Sequence, residues 1–287
     1  MKVAITGSHG LIGRALRASL EGDGHTVVGV GRVSPDGSID GIDGCDAVVN
    51  LAGAGIGDKR WTERRKELVL SSRTTTTAAV AAACARPDGP RVLLSGSAIG
   101  YYGDRGDEVL TETASAGSLY LSEICVAWEA AVGPAVDAGV RVVRMRTGIV
   151  LAPRGGALGK LLPLFRLGLG GRMGNGKQWM SWVSLADEVG AIRFLLDNEI
   201  AGPVNLVAPA PVTNAELTKT LGHVLHRPTV LPVPSFGPKL LLGRELADQL
   251  LFASQRVQPT ALEHAGYQFQ HPNLESALRW AVSTRST

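Results

Sequence analysis

The chain opens MKVAITGSHGLIG, and these first residues restrict its fold more than any later stretch. Lys2 to Thr6 carries the apolar run Val3-Ala4-Ile5, which suits a buried strand. Gly7, Gly10 and Gly13 follow at the spacing G-x-x-G-x-x-G, and Leu11, Ile12, Ala15, Leu16 and Leu20 then recur with helical periodicity. A strand, a glycine turn and a helix in this order form the context in which such glycines bind a dinucleotide. Gly7 allows the sharp turn, Gly10 lets a pyrophosphate approach the backbone, and Gly13 lets the helix pack closely. The helix start offers free N–H groups and partial positive charge to the phosphates. Gly7, Ser8, Gly10, Leu11, Ile12 and Gly13 are therefore expected cofactor contacts. A tight βα turn without a ligand is the alternative.

The second apolar run, His25 to Arg32, reads as a strand whose end meets the adenosine ribose. An acid there binds the 2′-hydroxyl and repels a 2′-phosphate, whereas the planar fork of Arg32 suits the phosphate. NADP(H) is expected over NAD(H), with Asp36 the residue that argues the other way. Val33 to Cys45 is too short for a helix and a strand, so one step of the alternation is abbreviated. Asp46 to Gly53 is the next strand, and its end, Asn50, Leu51, Ala52 and Gly53, is small enough to leave room for adenine and ribose.

Thr62 to Ala85 reads as a long helix with Leu68, Val69, Thr76, Val80 and Ala83 on its apolar side. Arg73 falls midway: buried, it would contact phosphate or substrate; exposed, it is an ordinary surface charge. Strands over 91–97 and 140–151 add Ser95, Arg144 and Thr147 to the expected cofactor wall. Ser118 to Ala138 reads as a helix between them. Apolar strands alternating with helices give an α/β doubly wound parallel sheet, with ligands at the carboxyl ends of the strands. Past residue 152 the glycine-rich texture marks a smaller α+β C-terminal substrate region, 153–287, interleaved with the 1–152 nucleotide domain around 178–209. Helices are expected over 158–167, 240–253 and 274–282, and an edge strand over 231–234. Ser184-Leu-Ala-Asp187 and Thr213-Asn-Ala-Glu216 are capping boxes that open two more helices.

A net charge of +3 gives no reason to expect nucleic acid or an anionic membrane as partner. Cys45, Cys84 and Cys125 are odd in number and widely spaced, which fits neither a disulfide framework nor a zinc site and suits a reducing compartment. No run approaches the ~20 apolar residues of a membrane span, and a cytoplasmic protein is expected. His223 and His226 stand one helical turn apart without a visible third ligand, so no metal is expected. Trp179 and Trp182 either line a substrate pocket or pack the second region. A homodimer stays open as the assembly.

The motifs GSHGLIG (7–13), NLAG (50–53) and SGSAIGYYG (95–103) resemble those of the extended short-chain dehydrogenase/reductase superfamily with its Rossmann domain. The match narrows through GDKRW (57–61), SSRTTTT (71–77), CVAWE (125–129), RTGIVLAPRGGALGKL (146–161) and GKQWMSWV (176–183). LPVP (231–234), the run 240–269 and HPNLESAL (271–278) complete it. Together they resemble one atypical group, the epimerase family (NAD-dependent epimerase/dehydratase-like), which closes with a C-terminal domain of unknown function.

The resemblance implies a Ser that polarises the reacting carbonyl, a Tyr that transfers the proton, and a Lys four residues later that lowers the Tyr pKa. Ser97 matches the Ser and Tyr120 lies near the Tyr, but Ile124 occupies the Lys position. A Tyr with an ordinary pKa near ~10 is protonated at neutral pH and is a poor base. Tyr101 and Tyr102 are rival acids. Cys125 lacks a basic neighbour that would make it a thiolate. Two functions follow from the resemblance. One is an NADP(H)-dependent oxidoreductase or isomerase acting on a small hydroxylated or carbonyl substrate, nucleotide-sugar-like in one version. The other is a non-catalytic NADP(H)-binding regulator or scaffold.

Overall fold

The computed structural model describes residues 1–283. Six parallel strands form the central sheet: β1 (Lys2–Thr6), β2 (Thr26–Val30), β3 (Ala47–Asn50), β4 (Val92–Ala98), β6 (Arg141–Thr147) and β10 (Gly202–Leu206), in the order β10-β6-β4-β3-β1-β2. The two-residue strand β5 (Val109–Leu110) lies outside it. The first crossover, through α1 (Leu11–Gly22), carries the chain from β1 outward to β2, and β3 then pairs on the other side of β1. The order reverses at β1, so a crevice opens above the carboxyl ends of β1 and β3, where such sheets take their ligands. The segment between Val30 and Ala47 contains no helix or strand, matching its shortness.

Each sheet face has its own apolar layer. Val3, Ile5, Val49, Leu94 and Met145 pack against α1 and α6 (Leu185–Asp197). Ala4, Val48, Leu93 and Val142 pack on the other side, against α2 (Glu63–Cys84) and α4 (Gly133–Asp137). Strands buried on both faces are expected to be continuously apolar, as these are.

Several segments differ from the sequence expectation. The helix expected over 118–138 is two: α3 (Tyr120–Ala130) and α4, with Pro134 in the first turn of the second. The strand expected over 140–151 divides at Gly148 into β6 and β7 (Ile149–Leu151), and β7 joins β9 (Trp182–Ser184) in a separate pair. A Cβ at Gly148 would lie 2.7 Å from the Val207 side chain and 2.8 Å from the Ser181 carbonyl, so the chain turns where two distant segments press on it. Along α2 the buried stripe is Val69, Arg73, Thr77, Val80 and Cys84, while Leu68 is exposed.

The C-terminal region packs α5 (Gly156–Arg166), α7 (Asn214–Leu225) and α11 (Leu274–Ser283) around Trp182. Thr213 caps α7 with the full reciprocal box: its Oγ1 accepts from the Glu216 amide, and the Glu216 carboxylate accepts from the Thr213 amide at 2.7 Å. At α6, Ser184 Oγ accepts from the Asp187 amide, and Asp187 also receives the backbone amides of Gln270 and His271, tying the tail to the helix start. The expected edge strand at 231–234 is reduced to one bridge, Met173 with Val233. The expected helix 240–253 is three pieces: α8 (Phe236–Leu242), α9 (Arg244–Ala247) and a π-helical turn, Asp248–Phe252. Gly243, at φ 87°, makes the first break. The pairs β8 (Trp179–Met180) with β11 (Val212–Thr213), and β12 (Arg256–Val257) with β5, tie the tail to the strand ends; α10 (Thr260–His264) follows.

Candidate functional site

The glycine turn is built closely enough that its side-chain hydrogens matter. Gly7 has φ 66°, and a Cβ there would lie 2.8 Å from the Leu51 carbonyl oxygen at the end of β3. A Cβ at Gly13 would lie 2.3 Å from the Gly7 carbonyl oxygen and 2.8 Å from Ser8 Cα, closer than any real contact. Gly10 is the N-cap of α1 and is exposed; no side chain caps the helix and no acid stands in its first turn. The uncapped amides and the positive end of the dipole therefore face the crevice uncompensated, which suits a pyrophosphate. Leu11 packs toward Gly155 and Gly156 at the head of α5, Ile12 enters the core, and Ser8 is buried beside His9. Arg32 is exposed two residues beyond β2.

The small end of β3 has two jobs. Asn50 is fully buried; it accepts from Thr6 Oγ1 at 2.6 Å and donates to Thr77 Oγ1 at 2.8 Å, while Trp128 Nε1 donates to the same Thr77 oxygen at 2.9 Å. Its side chain thus bolts β1, β3, α2 and α3 together. Ser95 is buried 3.5 Å from Asn50 Nδ2. The Leu51 and Ala52 amides donate to Thr6 Oγ1. Gly53 lies directly against the Arg73 guanidinium, whose Cζ would be 3.0 Å from a Cβ there.

Beyond this turn lies a cavity of about 290 Å³. Its floor is the ends of β4 and β6, Ala98 to Gly100 and Thr147 to Val150. One wall is the α3 face with Ile124, Cys125 and Trp128; Trp179 to Ser181 and the π-helical turn at Gln249 to Leu251 close it from the C-terminal region. The wall is mostly apolar. Ile124, at the expected Lys position, is 1% exposed and lines it. Cys125 lines it too, as a thiol whose pKa burial pushes up to about 12. Thr147 Oγ1 donates to Glu188 at 2.9 Å, and burial pushes that carboxyl up to about 8. The second Glu188 oxygen has no hydrogen-bond partner.

The residues nominated for acid–base work do not line this cavity. Ser97 Oγ donates to Glu129 at 2.7 Å and does not line the cavity. Glu129 also receives Arg146 Nε at 2.8 Å and Nη2 at 2.9 Å, and Arg146 Nη1 donates to the Tyr102 hydroxyl, which donates to Asn205. Burial disfavours the Arg146 charge, yet the Glu129 bonds outweigh this and hold its pKa above the ordinary value. Tyr101 stacks on the same guanidinium, 3.5 Å from its ring centroid. Tyr102 and Arg146 therefore belong to a buried, mutually satisfied network. Tyr120 packs edge-on against Trp61 at 5.4 Å, with Lys66 Nζ 5.0 Å above its ring. Burial raises its phenol pKa, partly countered by Lys66, which is itself paired with Glu245. Arg144 sits mid-strand in register with Ser95 and away from the cavity. Trp179 reaches the cavity, whereas Trp182 is core. Glu188 escaped the sequence reading because an acid next to a capping Asp looks like ordinary helix-start chemistry.

Residues 3–207 match the NAD dependent epimerase/dehydratase family, and residues 233–281 match a domain of unknown function. The chain is 45% identical over 295 residues to an epimerase family protein of Mycobacterium tuberculosis, covering 98% of this chain and 97% of that one. It is 36% identical to the human epimerase family protein SDR39U1, covering 99% and 100%. A crystal structure of the human protein with NADPH superposes with a TM-score of 0.93 at 34% identity, over 99% of each chain. A UDP-N-acetylglucosamine 4-epimerase from Bacillus cereus shares the fold, TM-score 0.78, at 16% identity. No helix among the described residues is long and apolar enough to cross a membrane. With its glycine turn, reversed strand order and C-terminal domain all accounted for, the chain belongs to the NAD dependent epimerase/dehydratase family.

Proposed function

We propose that the protein binds NADP(H) and acts as an oxidoreductase or isomerase on a small hydroxylated or carbonyl substrate held in the cavity. The observation that carries this is continuity: the uncapped head of α1 touches the head of α5 through Leu11 and Gly156, and Gly156 lines the cavity. The cradle fits the cofactor, because Gly7 and Gly13 leave no room for a Cβ and the helix start has no internal anion. The bound nicotinamide supplies or accepts a hydride. Gly7 to Gly13 would hold the pyrophosphate, Arg32 the 2′-phosphate, and Gly53 with Thr147 the inner end. The apolar wall around Ile124 excludes water. Thr147, backed by Glu188, can hold or move a proton at its Oγ1. Ser97 and Tyr120 reach a substrate in this reading only after leaving their present partners.

The test is nicotinamide absorbance with a panel of carbonyl compounds and nucleotide sugars. Turnover with one member, lowered in Thr147→Val by a much larger factor than NADPH affinity, supports the reading. Tight NADPH binding without turnover of any member favours the regulator reading, which Ile124 at the Lys position and the engagement of Ser97 with Glu129 also support.

A further inference from the structure

Two arginines are buried near the strand ends, and they are treated oppositely. Arg146 is 3% exposed and carries a two-pronged bond to Glu129. Arg73 is 6% exposed and has no carboxylate partner among the described residues. Its Nη1 donates to the Val69 carbonyl, Nε has no hydrogen-bond partner, and a second cation, Arg65, eight residues earlier on the same helix, opposes its charge. Burial lowers its pKa below the ordinary arginine range. Trp128 offers its ring at 5.0 Å, but a cation–π contact replaces little of the hydration an ion loses on burial.

The other oxygen- and nitrogen-bearing side chains around the cavity each make at least one hydrogen bond. Thr147 donates to Glu188, Ser181 to the Gln255 carbonyl, Gln255 to the Ile99 carbonyl, and Trp179 to Asp107; Gln249 accepts from the Leu121 amide. The Arg73 guanidinium is the group on this wall with charge and a donor to spare, and Gly53 is the residue that lets it lie there. The phosphate turn already has the α1 amides for its own anion; the Arg73 guanidinium lies instead against Gly53 and the Trp128 ring, and lines the cavity with Cys125 and the ends of β4 and β6.

We propose that Arg73 receives a carboxylate or phosphate oxygen carried by the substrate, so that the protein acts on anionic carbonyl or hydroxy compounds. The inference rests on the NADP(H)-linked reading of the same cavity. In the sequence-related Lys position the chain has Ile124, and the cation of the site comes instead from α2.

The experiment titrates NADPH-loaded protein with acetate, benzoate and inorganic phosphate, read by calorimetry and by quenching of nicotinamide fluorescence. Native protein should bind at least one of them saturably. Arg73→Gln should weaken that anion by about tenfold or more, the loss expected for one charge-assisted contact, with NADPH affinity unchanged. Arg73→Lys should retain part of the anion affinity. Thermal unfolding of the ligand-free variants guards against misfolding: Arg73→Met should melt at or above the native midpoint, because an unpaired buried charge is removed. Three results overturn the proposal: native protein that binds none of the probes, an Arg73→Gln variant that loses NADPH affinity by a similar factor (the arginine then serves the cofactor phosphates), or an Arg73→Met variant that melts far lower. Anion binding that survives without turnover of any panel compound leaves Arg73 as assigned and removes the enzymatic reading.

Discussion

Replacing Glu129 by Gln tests whether Ser97 and Arg146 are framework, as their hydrogen bonds indicate. Glu129 is 7% exposed and accepts three hydrogen bonds, one from Ser97 and two from Arg146. Gln has the same shape but no charge, and its amide nitrogen faces a donor. The Arg146 guanidinium stays buried with its counter-charge gone. Losing one partner of a buried pair costs about 3–5 kcal/mol. At roughly 2–4 °C per kcal/mol for a chain of this size, the midpoint should drop by about 6–20 °C in a thermal scan followed by circular dichroism. Glu129→Leu with Arg146→Met should recover much of this, since a well-packed apolar pair replaces an ion pair at little cost. Ser97→Ala removes one bond to a charged acceptor, about 1.5–3 kcal/mol, and should leave NADPH affinity unchanged. A Glu129→Gln midpoint within about 2 °C of native, less than 1 kcal/mol, would refute the framework account.

Gly13→Ala should cost about 1–3 kcal/mol of stability and most of the NADPH affinity, because its Cβ meets backbone that cannot yield; fluorescence titration checks the second part. Glu188 gives a pH dependence. Its carboxyl rises from an ordinary 4.5 to about 8 on folding, so the folded state holds the extra proton. Its contribution is fully present below about pH 4.5 and is lost as pH rises through about 8. Glu188→Gln should therefore flatten the fall in midpoint between these values, by up to about 1.4 kcal/mol per pH unit; parallel native and variant curves would count against it.

What the sequence made legible was local. The Gly7–Gly13 turn, the Thr213 box and the alternation of apolar strands each depend on residues within a few positions of one another. The break at Gly148 was not legible, because Val207 and Ser181 enforce it from other segments. The Ser97–Glu129–Arg146 network joins residues 32 and 17 apart, so Ser97 read alone looks like a free hydroxyl. Arg73 is the clearest case. The helix SSRTTTTAAVAAAC has too few large apolar residues to show which face goes inward, and the buried stripe passes through the arginine rather than Leu68. Motif spacing located the glycine turn, while the cavity's charge and its apolar wall required the packed structure.

The most direct measurement is the ratio of NADPH to NADH affinity in native protein and in Arg32→Asp. Arg32 is exposed two residues beyond β2. The account predicts that native protein binds NADPH about tenfold or more tighter than NADH, one guanidinium–phosphate contact, and that Arg32→Asp abolishes or inverts the ratio without lowering the unfolding midpoint. Equal affinities in native protein, or a ratio untouched by Arg32→Asp, would contradict it.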